Sequence, residues 1–172
     1  MKPHLVIVGG GIAGLSCGAC AAADFEITVL EAEMQPGYHS SGRSAAVYIE
    51  AFMNETIHAL SLASARHFRE QGAKPVGDVT VADEAHGAEL DAFFETWKDL
   101  CPDLREVDRG EVLEQVPILR PERVHRAMVD PNALSLDAHG LMEGYRRSLT
   151  DAGGRIVNNA PVRRIERRDG RW

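Results

Sequence analysis

The chain has 172 residues, 44% of them apolar, and a formal charge of -7, so it can bury a core and lacks the basic field of a dedicated nucleic-acid binder. No apolar stretch approaches the ~20 residues of a membrane span, and Cys17, Cys20 and Cys101 are too few for a disulfide framework. A cytoplasmic protein with no nucleic-acid partner and no membrane span is expected. Charge is uneven: six Arg between Arg155 and Trp172 against Glu166 and Asp169 give the end a net +4, leaving -11 on the 154 residues before it. That basic end reads as a solvated strand or hairpin face.

In chain order, His4 to Val8 is a short apolar run ending in Gly9-Gly10-Gly11, as a buried parallel strand does when it turns into a helix. Ile12 to Ala23, rich in Ala, Leu and Cys, predicts a helix packed closely on a sheet, and Glu26 to Leu30 a second strand. Strand, helix and strand within about thirty residues make a βαβ unit. A polar loop from Gln35 to Ser44 follows, then Asn54 to Glu70 with Ile57, Leu60, Ser64 and Phe68 on one helical face, read as a second helix of the same layer. Val76 to Ala82 predicts a strand, and Leu90, Phe93, Phe94 and Trp97 give the apolar stripe of a helix that packs in a core. Asp108 with Glu111 resembles a capping box, and Pro117 and Pro121 end that helix. His125 to Val129 reads as a strand, Leu136 to Leu149 as a helix closed by Gly153-Gly154, and Arg155 to Asn158 as another strand, with Val162 and Ile165 as the apolar anchors of the tail.

The chemistry sits at the first turn. Gly9, Gly11 and Gly14 satisfy G-x-G-x-x-G: the first makes the tight turn, the second lets backbone approach a pyrophosphate, and the third lets helix and strand pack. The helix starting near Ile12 then aims free N–H groups and its positive dipole end at phosphates. Glu31 lies 20 residues beyond Gly11 at the end of the next strand, where an acid accepts hydrogen bonds from ribose hydroxyls. FAD and NAD share this fingerprint. The loop His39-Ser40-Ser41-Gly42-Arg43-Ser44-Ala45-Ala46 favours FAD, because hydroxyls, one Gly and an Arg suit phosphate and ribityl oxygens and small Ala residues leave room for a flat ring. The bland alternative for this loop is a polar surface.

The combination VIVGGGIAGLS, VLEAE and QPGYHSSGRSAA resembles the FAD-dependent oxidoreductases of the D-amino-acid oxidase and glycine oxidase superfamily, nearest the D-arginine dehydrogenase branch, and the likeness continues more loosely through EQVPILRPERV, DPNALSLDAHGLMEGYRR and VRRIERRDGRW. The resemblance implies that Gly9, Gly11, Ile12, Ala13 and Gly14 hold the pyrophosphate, that Glu31 holds the adenosine ribose and that Ala32 sits beside adenine. It further implies that Ser41, Arg43, Ser44, Ala45, Ala46 and Val47 contact the pyrophosphate, ribityl chain and flavin ring, and that the backbone of Val162 binds adenine. In such enzymes the flavin takes a hydride from the carbon bearing the amine of an amino acid or amine. The D-arginine-type members carry His where this chain has Val47 and Tyr where it has Phe52, which argues against D-arginine as substrate. Full-length relatives continue well beyond this length, so the resemblance implies an N-terminal portion that needs a missing C-terminal half or partner chain.

The expected fold class is α/β, a Rossmann-type parallel FAD-binding layer with a partial α+β substrate domain: residues 2–74 as FAD-binding segment, 75–131 as partial substrate-domain insertion, and 132–172 as a truncated return to the FAD-binding domain. Two other functions remain open: a non-catalytic FAD-binding fragment or subunit, and an NAD-linked Rossmann dehydrogenase. Cys17 and Cys20, inside the Rossmann helix, read as buried and inert, and the seven His have no metal-ligand spacing, so no metal is assigned. Tyr48 reads as a helix-start or core residue rather than a hydrogen-bond donor toward substrate. His39 reads as a turn-stabilising residue or a catalytic one, and no catalytic base is designated.

Overall fold

The computed structural model describes residues 1–167 and 170. In chain order its regular elements are β1 (His4–Val8), α1 (Ile12–Ala21), β2 (Glu26–Leu30), β3 (Val47–Tyr48), α2 (Glu55–Glu70), β4 (Lys74–Pro75), β5 (Asp78–Ala82), α3 (Gly87–Trp97), β6 (Arg105–Glu106), α4 (Arg109–Gln115), β7 (Arg126–Asp130), β8 (Leu134–Ser135), α5 (Ala138–Asp151) and β9 (Arg155–Val157). Two short 3-10 turns cover Ser40–Arg43 and Pro121–Arg123. The chain divides into two compact units, Met1–Ala45 with Asp137–Trp172, and Ala46–Leu136.

The first unit is the α/β layer. β1, β2 and β9 pair in parallel in the order β1-β2-β9, the arrangement that helical crossovers impose. Alternation along the strands sends Leu5, Ile7, Ile27, Val29 and Ile156 to one side, where they pack with Ala22 and Leu149. Val29 and Leu149 are fully buried, each worth about 1.5–3 kcal/mol of transfer free energy. α1 turns Leu15 and Gly18 inward. A Cβ on Gly18 would sit 3.3 Å from Leu149 and 3.4 Å from Ile27, so the small residue permits the close helix–sheet approach expected. The thiols take the opposite side: Cys17 and Cys20 are both exposed, which corrects their expected burial. Because 15, 18 and 22 form the inward stripe at helical spacing, positions 17 and 20 are carried outward. On the other side of the sheet Val6 and Val8 of β1 are 48% and 56% exposed.

The second unit holds two antiparallel three-stranded sheets, β3-β8-β4 and β5-β7-β6. The stripe on α3 packs as expected, with Trp97 buried against Ala51, Cys101, Leu104 and Met128, and Leu90, Phe93 and Phe94 beside them. α2 belongs to this unit, not to the Rossmann layer, so the segment boundaries near 74 and 131 differ from the junctions of the compact units at 45 and 136. The buried residues of α2 are His58 and Ala65, whereas Leu60 is 59% exposed. The inward face is thus rotated from the one the apolar residues suggested, because His58 satisfies its ring by bonding Nδ1 to Glu50 O at 2.8 Å and is buried at little cost. Tyr48 is a core residue, 5% exposed, and its hydroxyl donates to Glu50 Oε1 at 3.4 Å. Burial, with Glu50 nearby, pushes its phenol up to about 12, and burial likewise pushes the Cys101 thiol up to about 11.

Three further helices begin on side-chain caps. Asn54 accepts from Ile57 N, Asp108 from Glu111 N and Asp137 from Gly140 N, each cap worth about 1 kcal/mol. The expected capping box at Asp108 is only half made, since the Glu111 carboxylate pairs with the Arg105 guanidinium instead. The strand expected from His125 starts one residue later, at Arg126. In the tail Val162 and Ile165 are 37% and 64% exposed, so neither acts as an apolar anchor, and Arg164 pairs with Glu166. The last residues of the basic end, Arg168, Asp169, Arg171 and Trp172, lie outside the described residues. No helix among the described residues is long and apolar enough to cross a membrane.

Candidate cofactor site

At the C-terminal ends of the parallel strands lies a half-open cavity of about 380 Å³, lined by the β1 turn, the end of β2, the 37–41 loop and the segment from Ala160 to Val162. Open α/β sheets bind ligands at this end, where strand ends and helix N-termini meet. Gly9 takes φ +102°, a conformation that favours glycine, and its N–H donates to Leu30 O at 2.8 Å, which fastens the turn to β2. A Cβ on Gly14 would lie 2.0 Å from Gly9 O. The third glycine of the motif is therefore obligatory for the turn itself. Gly11 is the N-cap of α1 and offers no side-chain cap, which leaves the first turn's donors to a partner from elsewhere.

That partner is the second loop. Ile12 N donates to Ser41 Oγ at 3.0 Å, so the Ser40–Arg43 turn stands over the helix N-terminus. Glu31 is 6% exposed, and its carboxylate is held by two backbone donors, Gly10 N to Oε2 at 2.7 Å and Glu33 N to Oε1 at 2.9 Å. With roughly four lone-pair sites on a carboxylate, two acceptor positions remain for ribose hydroxyls. A Cβ on Gly10 would approach Glu31 Oε2 to 3.0 Å and Pro36 Cβ to 3.3 Å. The middle glycine thus makes room for the acid, a role the G-x-G-x-x-G pattern does not express.

Of the site residues expected from sequence, Gly9, Gly11, Glu31, Ala32, Ser41 and Val162 line the cavity. Ile12 and Gly14 stand behind the lining, against Ser41 and Gly9 respectively, and Ala13 is exposed in the first turn of α1. The Arg43 guanidinium lies over the Tyr38 ring at 5.3 Å, and Ser44 and Ala45 continue the loop, both exposed. Ala46 and Val47 fall in the second unit, where Ala46, at φ 52°, accepts from Leu136 N and Val47 pairs with Ser135. Sequence reading missed Tyr38, Ala160 and Pro161 as wall residues. The last two flank Val162 and were within reach of that expectation, while Tyr38 lies inside the QPGYHSSGRSAA motif but was assigned no role. Among the described residues no group of three or more His, Cys, Asp or Glu could hold a metal ion.

The chain belongs to the FAD dependent oxidoreductase (DAO) family, whose sequence profile matches residues 4–172. FAD is the cofactor of that family, and the NAD-linked reading is set aside. Solved structures share the fold. An L-proline dehydrogenase from P. horikoshii matches with TM-score 0.77 and 19% identity over 92% of this chain and 44% of its own. A glycine oxidase from Geobacillus kaustophilus matches with TM-score 0.75 and 22% identity over 90% of this chain and 46% of its own. A dithionite-reduced L-alpha-glycerophosphate oxidase from Mycoplasma pneumoniae with FAD bound matches with TM-score 0.77 and 14% identity, over 92% and 45%. The chain thus spans somewhat under half the length of these proteins.

The residues present fit the adenosine diphosphate half of FAD. An uncharged turn with Gly9 open to solvent where a Cβ would stand, a helix N-terminus without its own cap and a buried carboxylate with spare lone pairs supply the donors and acceptor that a pyrophosphate and a ribose need.

Proposed function

We propose that the protein works as an FAD-dependent oxidoreductase that oxidises the CH–NH bond of an amino acid or amine. The observation that carries this reading is the joined cradle of Ile12, Ser41 and Glu31: a phosphate end and a ribose end set on one strand–turn–helix, in a chain of the FAD-dependent family. In this reading the backbone of Gly11, Ile12 and Ala13 and the Ser41 hydroxyl bind the pyrophosphate, Glu31 orients the ribose, and Ala32 and Val162 flank adenine. Arg43, Ser44 and Ala45 lead toward the ribityl chain. FAD, when bound, supplies the two-electron acceptor: the substrate carbon loses its hydrogen as hydride and the resulting imine is hydrolysed by water. Two of the matched structures are amino-acid enzymes by name and one acts on a glycerophosphate, so the amine donor rests on the motifs QPGYHSSGRSAA and VLEAE rather than on fold.

A second reading, that FAD binding here serves catalysis only together with a further polypeptide, is favoured by the bare side of the parallel sheet at Val6 and Val8, since such sheets are normally covered on both faces. One experiment separates the readings. The purified protein is loaded with FAD, its visible spectrum recorded anaerobically, and glycine, proline and a panel of D-amino acids added. A flavin spectrum that bleaches supports the first reading. Flavin that binds and never bleaches supports the second, and a protein that takes up no FAD overturns both.

A further inference from the structure

Beside the cavity lies a contact that neither the glycine motif nor the ribose acid accounts for: His39 Nε2 bonds Glu33 Oε1 at 2.9 Å. Glu33 is a junction in three directions. Its N–H donates to Glu31 Oε1 at 2.9 Å, its carbonyl accepts from Asn159 N at 2.9 Å, and its carboxylate reaches His39. The first link steadies the ribose acid. The second pins the segment that continues into Ala160, Pro161 and Val162, and the third ties down the Tyr38–His39 wall, both groups lining the same cavity. The wall is itself braced, because the Tyr38 and His39 rings meet edge to face at 5.3 Å and Arg43 covers Tyr38 from beyond.

We infer that Glu33 and His39 are a positioning pair that holds the adenosine end of the dinucleotide pocket closed and so sets how tightly the adenosine diphosphate half is retained. The inference rests on the FAD-binding reading above. Two of the three Glu33 links use its backbone, which any residue supplies; the third alone depends on the Glu33 side chain, and it is the one of the three that fastens the 37–41 loop to the strand end. His39 therefore acts through the wall it fixes. Because the pair is partly exposed, with the His39 side chain 66% and the Glu33 side chain 37% accessible, its worth is modest.

The test is equilibrium binding of FAD, ADP and riboflavin to the protein and to Glu33→Ala, His39→Ala, the double variant, His39→Gln and His39→Phe. Thermal melts accompany each titration. The expected result is that Glu33→Ala and His39→Ala each weaken FAD and ADP by about two- to five-fold, with no further loss in the double variant. Riboflavin binding should be unaffected, and melting should be unchanged. His39→Gln keeps a donor near the position of Nε2 and restores affinity, while His39→Phe keeps only the ring and does not. Unchanged affinities, additive losses or rescue by Phe would overturn the pair. A wild-type protein that binds neither FAD nor ADP would instead overturn the underlying cofactor reading.

Discussion

The hydroxyl of Ser41 caps the amide of Ile12 across 29 residues of sequence, at 3.0 Å, and a Cβ on Gly11 would stand 3.0 Å from that same oxygen. A hydroxyl has one proton and two lone pairs, so Ser41 is able to accept from Ile12 and donate to a phosphate oxygen at once. Gly11 in consequence leaves space for the Ser41 side chain, and on the proposed reading for the pyrophosphate as well.

Ser41→Ala should weaken FAD binding about ten-fold, the cost of a hydrogen bond to a charged group. Gly11→Ala should weaken it as well, and by less when made in the Ser41→Ala background, because the crowded oxygen is gone. A thermodynamic cycle on FAD dissociation constants checks the coupling. Additive effects would show that the two positions do not share space.

Gly14→Ala should act on folding before it acts on the cofactor. Its Cβ would meet Gly9 O at 2.0 Å, and backbone is the contact least able to move. A loss of about 3 kcal/mol is expected, read as a lower urea midpoint by circular dichroism in the absence of FAD.

The thiols should divide two to one. Cys17 and Cys20 are exposed and Cys101 is buried, with burial lifting its thiol to about 11 and keeping it protonated and unreactive. A chromogenic disulfide reagent at pH 8 should modify two groups per chain quickly and the third only on unfolding. Serine substitution at 17 and 20 together should abolish the fast phase.

Alkaline pH should destabilise the second unit. Tyr48 is raised from 10.0 to about 12 and Cys101 from 9.0 to about 11, so the folded state holds these protons more tightly than the unfolded state. Their stabilisation is complete below pH 9 for Cys101 and below pH 10 for Tyr48. It is lost as pH rises through 11 and 12 respectively, on the order of 2 kcal/mol each. Urea unfolding followed by fluorescence at the buried Trp97 should show the decline, and Tyr48→Phe should flatten it between pH 10 and 12.

Much of the site was legible because its parts are local. Gly9, Gly11 and Gly14 are called for by one turn, and Glu31 follows from the length of one helix and one strand, so spacing along the chain is spacing in space. The 39–46 loop was recognisable by composition, but its docking on Ile12 was not, since a bond across 29 residues leaves no periodic trace. The face of α2 was misjudged for a related reason: hydropathy marks Leu60 as inward and His58 as outward, and a hydrogen bond to Glu50 reverses the order.

By itself the sequence determined the glycine turn and the acid at the end of the next strand, because glycine stereochemistry and a single βαβ unit dictate them, and its motifs pointed to the FAD-dependent family. Tertiary structure alone decided that Ser41 completes the helix N-terminus, that Gly10 exists for Glu31, that Glu33 ties three walls of one cavity together, and that Cys17 and Cys20 face outward. Each depends on which distant segment arrives at a given backbone group, and that is settled by packing over the whole unit rather than by any residue's own preference.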